Sequence, residues 1–198
     1  GTLLDVSVNG GQTRFSDASI DLTTTIAAVN DTPVVPASAT TVGTTEQTAA
    51  VLLGSLTVSD VDLDARNGGN GDYGGASFTV QRASANAADT FGFGSGGLFT
   101  VSGSNLQAAG LTFATFTNVG GVLTITFTSS ATTATTALDN DVIDHIAYTN
   151  ASDAPPASVT LNYTLDDGAP GGGQGAGGAA TAGGSVLVNI TKVNDAHT

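Results

Sequence analysis

Apolar and polar residues alternate at period two in several stretches of this chain, the pattern of a strand with one buried and one solvated face. Between Gly121 and Thr128, Leu123, Ile125 and Phe127 share one face and Val122, Thr124, Thr126 and Thr128 the other. From Ser158 to Leu165 the apolar set is Val159, Leu161, Tyr163 and Leu165, separated by Thr160, Asn162 and Thr164. Val186, Val188 and Ile190 repeat the scheme between Ser185 and Val193, as do Ile20, Leu22 and Ile26 near the start. Further strands are predicted near residues 50–58, 76–81, 97–101 and 111–118, with Gly/Asn/Ala-rich loops at 66–75, 84–97 and 168–184. A short helix fits only residues 136–148, where Leu138, Val142 and Ile146 recur at a spacing of four. Abundant Thr and Gly disfavour helix elsewhere. Many short strands separated by turn signals predict an all-β fold, an antiparallel Greek-key β-sandwich.

An internal repeat divides the chain. "TLLDVSVNGG…SIDLTTTIAAVNDTP", from Thr2 to Pro33, parallels "TLDDGAPGGG…GSVLVNITKVNDAH", from Thr164 to His197. Each copy holds a strand, an Asp, a Gly-containing loop, an alternating strand and a Val-Asn-Asp triplet. Residues 1–31 are therefore expected to be the last strands of one repeat plus a linker, 32–195 a complete repeat, and 196–198 the start of the next linker. An isolated two-stranded hairpin is marginal in water, so residues 1–31 are expected to pack on a neighbour in the same chain or in another.

Composition narrows the chemistry. The 198 residues include 17 Asp+Glu against 4 Lys+Arg, a formal net charge of −13. That sign opposes nucleic-acid and anionic-membrane partners and favours cations. There is no Cys and only 2 His, so a metal site must be built from oxygen. Four acidic groups supply it: Asn30-Asp31 before Pro33, Glu46 in "TTEQT", Asp60, Asp62 and Asp64 in "SDVDLDARNGGNGD", and Asp166-Asp167-Gly168 at a strand end. Carboxylates alternating in one turn repel one another. A hard cation taking six to eight oxygens, calcium above all, relieves that repulsion.

With these motifs in order, "TTEQT", "SDVDLD", "YTLDDG" and "VNITKVND", residues 29–195 resemble the cadherin-like repeats found in tandem in large bacterial surface and secreted proteins, including RTX-type adhesins. The resemblance implies a cadherin- or immunoglobulin-like sandwich with calcium at the junctions between domains. It implies that Asn30, Asp31, Asp60, Asp62 and Asp167, with Asp166 as its rival, ligate at a first junction. Glu46, Asp153, Asn194 and Asp195 would serve a second, incomplete one. His197 stands where the first copy has Pro33, and one or two ions per junction are expected. It further implies an extracellular location, cell-surface or secreted, and neighbouring repeats or subunits as partners, in an adhesin stalk or surface filament.

Other readings compete. A calcium-dependent carbohydrate-binding module would need exposed aromatic residues; there is no Trp, and Tyr73 is the one Tyr expected in a loop. A strand-exchanged filament subunit would use residues 1–31. Asp139, Asp141, Asp144 and His145 are expected on the solvated face of a capped short helix, and "GGNGD", residues 68–72, as a plain loop. No Gly-x-Ser-x-Gly, phosphate-binding loop or His-Glu-x-x-His occurs, and a non-enzymatic role is expected.

Overall fold

The computed structural model describes residues 23–36, 41–168 and 174–194. Strands dominate it. In chain order they are β1 (Thr41–Thr45), β2 (Ala50–Val51), β3 (Ser77–Gln81), β4 (Asp89–Phe93), β5 (Thr100–Ser102), β6 (Asn105–Ala108), β7 (Leu111–Val119), β8 (Val122–Phe127), β9 (Ile146–Asn150), β10 (Ser158–Asp166) and β11 (Thr181–Thr191). One helical turn, α1 (Val61–Asp64), and a tight turn, α2 (Arg66–Gly69), in which Asn67 and Gly68 are left-handed at φ 51° and 68°, follow β2, and α3 (Thr136–Asp144) follows β8.

Eight strands form one sheet in the order β1-β11-β10-β3-β8-β7-β6-β5, and three form a second in the order β2-β9-β4. All neighbours are antiparallel except β1, which runs parallel to β11, so the large sheet is mixed. The alternation read from sequence appears directly in the burial. Leu123, Ile125 and Phe127 of β8, Val159, Leu161, Tyr163 and Leu165 of β10, and Val186, Val188 and Ile190 of β11 all point into the core. They meet Phe91 of β4 and Ile146 and Tyr148 of β9 in a single apolar cluster that joins the two sheets. Phe78 stacks on Tyr163 with ring centroids 6.1 Å apart, and Phe91 packs on Tyr148 at 5.7 Å.

Some segments depart from the sequence expectation. Within residues 50–58 only Ala50 and Val51 pair as a strand; Leu53, Ser55 and Leu56 close a tight turn that buries Leu52, Leu53 and Leu56. The helix expected over 136–148 stops at Asp144, and the chain turns at His145 into β9. Ile146, Ala147 and Tyr148 are all buried there, since β9 is the central strand of the small sheet, and alternation gives it no signature. β4 falls inside the expected loop 84–97. Of the predicted first hairpin, residues 1–22 lie outside the described residues, and residues 23–28 follow no strand, with Ile26 exposed.

A candidate cation site where the linker docks

Residues 28–36 cross one end of the sandwich and are held from two sides. On one side Asn30 N–H donates to Ala176 O (3.0 Å) and Ala176 N–H to Ala28 O (2.8 Å). On the other, Val34 and Ser59 exchange backbone hydrogen bonds of 2.7 and 3.1 Å, and Asp31 N–H donates to Asp62 Oδ2 at 2.9 Å. Tyr163 adds a hydroxyl donated to Pro36 O at 3.1 Å. The linker thus lies between the first acidic turn and the glycine-rich loop that follows β10.

That turn is helical, where a flexible strand-end turn was expected. Asp60 is the N-cap of α1, its Oδ1 accepting from the N–H groups of Asp62 and Leu63, both at 2.9 Å. Capping fixes the carboxylate in place and leaves Oδ2 buried without a hydrogen-bond partner. Asp60 is 1% exposed. Burial pushes its carboxyl above the ordinary 3.8, against the pull of the two capping N–H groups, and the negative charges of Asp167 and Asp62 add to the rise. Across the linker, Asp167 is also 1% exposed; Oδ1 accepts from Ala180 N–H (2.8 Å) and Oδ2 from Asn30 Nδ2 (2.9 Å). Asn30 Nδ2 also donates to Gly178 O at 3.0 Å, which leaves Asn30 Oδ1 buried and unpaired.

Five of the six residues assigned to the first junction therefore converge here. Asn30 is hydrogen-bonded to Asp167 through its Nδ2, Asp60 feels the charges of Asp167 and Asp62, Asp62 holds the backbone of Asp31, and Asp31 itself is exposed. Asp166 does not converge with them: its Oδ1 accepts from Gly168 N–H at 2.9 Å, an ordinary Asx turn. Gly168 is indispensable to that turn, since its φ is +76° and a Cβ would lie 2.2 Å from Gly75 O.

Asp64 leaves the acidic group altogether, contrary to expectation. Its Oδ1 accepts from Tyr73 Oη (2.9 Å) and Thr136 Oγ1 (2.6 Å), and its Oδ2 from Asp60 N–H (3.1 Å). Tyr73, expected in a loop, is fully buried. Burial and the charges of Asp139, Asp64 and Asp60 raise its hydroxyl pKa far above 10. Asp139, expected on a solvated helix face, is 0% exposed with both carboxylate oxygens unpartnered. Burial first, and then the charge of Asp64, raise its pKa well above 3.8. Sequence periodicity places Asp139 one residue after Leu138, on a face that a free helix would show to water; in the fold it is buried near Asp64, to which the first residue of α3, Thr136, is hydrogen-bonded. Asp141 accepts from Leu98 N–H at 2.6 Å and lies beside His145.

The second predicted group lies at the opposite end. Thr45 of β1 pairs with Thr191 at the exit of β11, whereas Thr181 at its entrance pairs with Asp166. The ten residue steps between them span about 33 Å at ~3.3 Å each. Glu46 N–H donates to Thr191 O (3.0 Å), and the Glu46 carboxylate is 4% exposed with neither oxygen hydrogen-bonded. Gln47, left-handed at φ 57°, donates from Nε2 to Asp153 Oδ1 (2.7 Å) and from its N–H to Asn150 O (3.1 Å). Asn194 is exposed, and Asp195 lies outside the described residues.

Among the described residues, no three His, Cys, Asp or Glu side chains group closely enough to form a metal site by themselves. The first pole offers a mixed set instead. Asp60 and Asp167 bring charge and Asn30 a neutral oxygen, and two of the three carry a buried oxygen with no partner. Such a set suits a hard cation. No basic side chain among the described residues pairs with Asp60, Asp62 or Asp167; Arg82 is committed to Asp89.

Sequence reading missed Gln174, which stands among glycines and alanines in "GGGQGAGG". It is 1% exposed, its Nε2 reaches Asp167 O at 3.5 Å, and Oε1 has no partner. The signal available was its isolation, as the sole hydrogen-bonding side chain of that run.

No family model matches the chain, and no curated protein matches it. Among solved structures it is similar to AggA, the major subunit of aggregative adherence fimbriae type I from Escherichia coli, over 83% of this chain and 99% of that one. The identity is 14% and the TM-score 0.34. A likeness at that level transfers neither function nor partners.

Proposed function

We propose that this chain is a calcium-stabilised structural repeat of an extracellular bacterial adhesin stalk or surface filament, in which calcium at the linker junction stiffens the connection between domains. One observation carries the reading: the Asn30 linker, the Asp60 cap and the Asp167 turn meet at one end, Asn30 and Asp60 each with a buried, unpaired oxygen, and among the described residues no basic side chain forms an ion pair with them. Asn30, Asp60, Asp62 and Asp167 would hold the ion, which would supply the positive charge that the site lacks. Because these four residues come from three segments, one ion would tie the linker to both the α1 turn and the β10 end. Glu46 would contribute in the same way at the other pole, towards a following repeat. The role is mechanical, with neighbouring repeats or subunits as the partners.

A sugar-binding role has less support. All three tyrosines are buried, and no Tyr or Phe among the described residues is exposed; Phe93 and Phe116 are half-buried. Among the described residues no helix is long and apolar enough to cross a membrane.

The test is a thermal melt in EDTA and in 10 mM calcium. Extracellular modules of this kind bind calcium at about 10⁻⁴–10⁻³ M. Mass action then gives about 1.4–2.7 kcal/mol, or roughly 3–10 °C in a domain of this size. Asp60→Ala should abolish the shift. An unmoved wild-type transition, or a shift that survives Asp60→Ala, would refute the proposal.

A further inference from the structure

We infer that Gln174 is an additional oxygen donor to the junction cation, so that the glycine-rich loop and the linker are fastened by the same ion. This rests on the calcium reading above and extends it to a loop that neither the acidic motifs nor the repeat singles out.

Two amides at the junction are oriented alike. A carboxamide has two N–H donors and a carbonyl with two lone pairs, and a buried one normally satisfies both ends. Asn30 turns its Nδ2 to Asp167 Oδ2 and Gly178 O and leaves Oδ1 unpaired. Gln174 also turns its amide nitrogen to that aspartate, its Nε2 directed to Asp167 O at 3.5 Å and its Oε1 unpaired. Both amides spend their N–H groups around one residue, and both leave carbonyl oxygens buried. Asp60 adds a third buried oxygen, Oδ2. Three acceptors without partners on the segments that meet here, with no ion pair to any of them among the described residues, call for a ligand that accepts electron pairs from several oxygens at once. A metal cation meets that requirement. A neutral amide oxygen raises the ligand count without adding to the repulsion between Asp60 and Asp167, which suits a cation that takes six to eight oxygens.

Backbone geometry holds Gln174 there. The loop pairs with the linker through Val29 and Ala176. Gly175 has φ +98°, and a Cβ on it would lie 2.3 Å from the carbonyl carbon of Ala28, so only glycine allows the loop to approach this closely. Gln174 precedes that contact directly. Its side chain is consequently committed to the junction, and removing the ion would unfasten the loop from the linker.

Isothermal titration of calcium into the full chain tests this with the wild type, Gln174→Ala and the near-isosteric Gln174→Glu, each also melted in EDTA. Loss of one ligand should weaken binding about tenfold in Gln174→Ala. A carboxylate in the same place should tighten it, with a larger calcium-induced rise in Tm from a lower starting point in EDTA. If Gln174→Ala does not fold, Gln174→Glu decides alone: unchanged or weaker binding overturns the inference. Wild-type binding with both variants unchanged in Kd refutes the role of Gln174 and leaves the junction reading standing. A wild type that binds nothing at about 10 mM calcium, tenfold above the weakest affinity expected, removes both.

Discussion

Replacing Asp139 by Asn should stabilise the protein at neutral pH and do the reverse in acid. Asp139 is 0% exposed, neither carboxylate oxygen has a partner, and its nearest charge is another carboxylate, Asp64. Asp64 is fully engaged by Tyr73, Thr136 and the Asp60 N–H, so it has no donor to offer. The native state therefore holds a proton on Asp139 that the unfolded chain releases above its ordinary 3.8. With the native carboxyl raised, the folded state binds more protons, and stability falls as pH rises from that value. The raised carboxyl costs stability as pH climbs above 3.8, by at most ~1.4 kcal/mol per pH unit until the native group itself titrates. Asn carries no such cost but buries an amide whose donors lack partners, at about 1–3 kcal/mol. The stability of the variant relative to the wild type should therefore rise between pH 4 and pH 7, and its relative Tm with it. At pH 4 the protonation cost vanishes, the amide cost remains, and the variant should be the less stable protein. Urea titrations of both proteins at pH 4 and pH 7 in EDTA read the difference, and background titrations cancel between them. A variant destabilised equally at both values would show that Asp139 is ionised and compensated in the fold, and the reasoning would fail.

Other substitutions probe the scaffold. Asp89→Ala should cost about 3–5 kcal/mol in urea unfolding, because Asp89 is 1% exposed and takes the Arg82 guanidinium, Tyr148 Oη at 2.6 Å and Asn150 Nδ2 at 3.0 Å. A loss below about 1 kcal/mol would place that charge in water. Tyr73→Phe removes one of the two hydroxyls donated to Asp64 Oδ1 and should cost about 1–2 kcal/mol by the same assay; a neutral result would mean water replaces the hydroxyl. Gly168→Ala meets both the left-handed backbone at φ +76° and Gly75 O, and should lower stability by more than about 1 kcal/mol while weakening calcium binding through Asp167. Wild-type affinity in a folded Gly168→Ala protein would separate the turn from the site.

What the sequence determined by itself is the part governed by local periodicity. Strands β3, β8, β10 and β11 are legible because each alternates, so Leu161 and Val186 announce their burial through Thr160 and Asn162 and through Ser185. The acidic groups were legible too, since capping by Asp60 and the Asp166-Asp167-Gly168 turn are short-range chemistry. Tertiary structure alone decided the rest. β9 is buried on both faces and shows no alternation, and β4, though Phe91 and Phe93 alternate with Thr90 and Gly92, is embedded in glycine- and alanine-rich sequence that reads as loop. Whether a carboxylate meets the linker, a tyrosine or only solvent depends on which segment packs over it. Asp60 and Asp64 sit four residues apart yet face the linker junction and the buried Tyr73–Thr136 pocket respectively. Gln174 and Asp139 were invisible for the same reason: burial is a property of neighbours distant in sequence, and neither local pattern nor charge count encodes which neighbours those are.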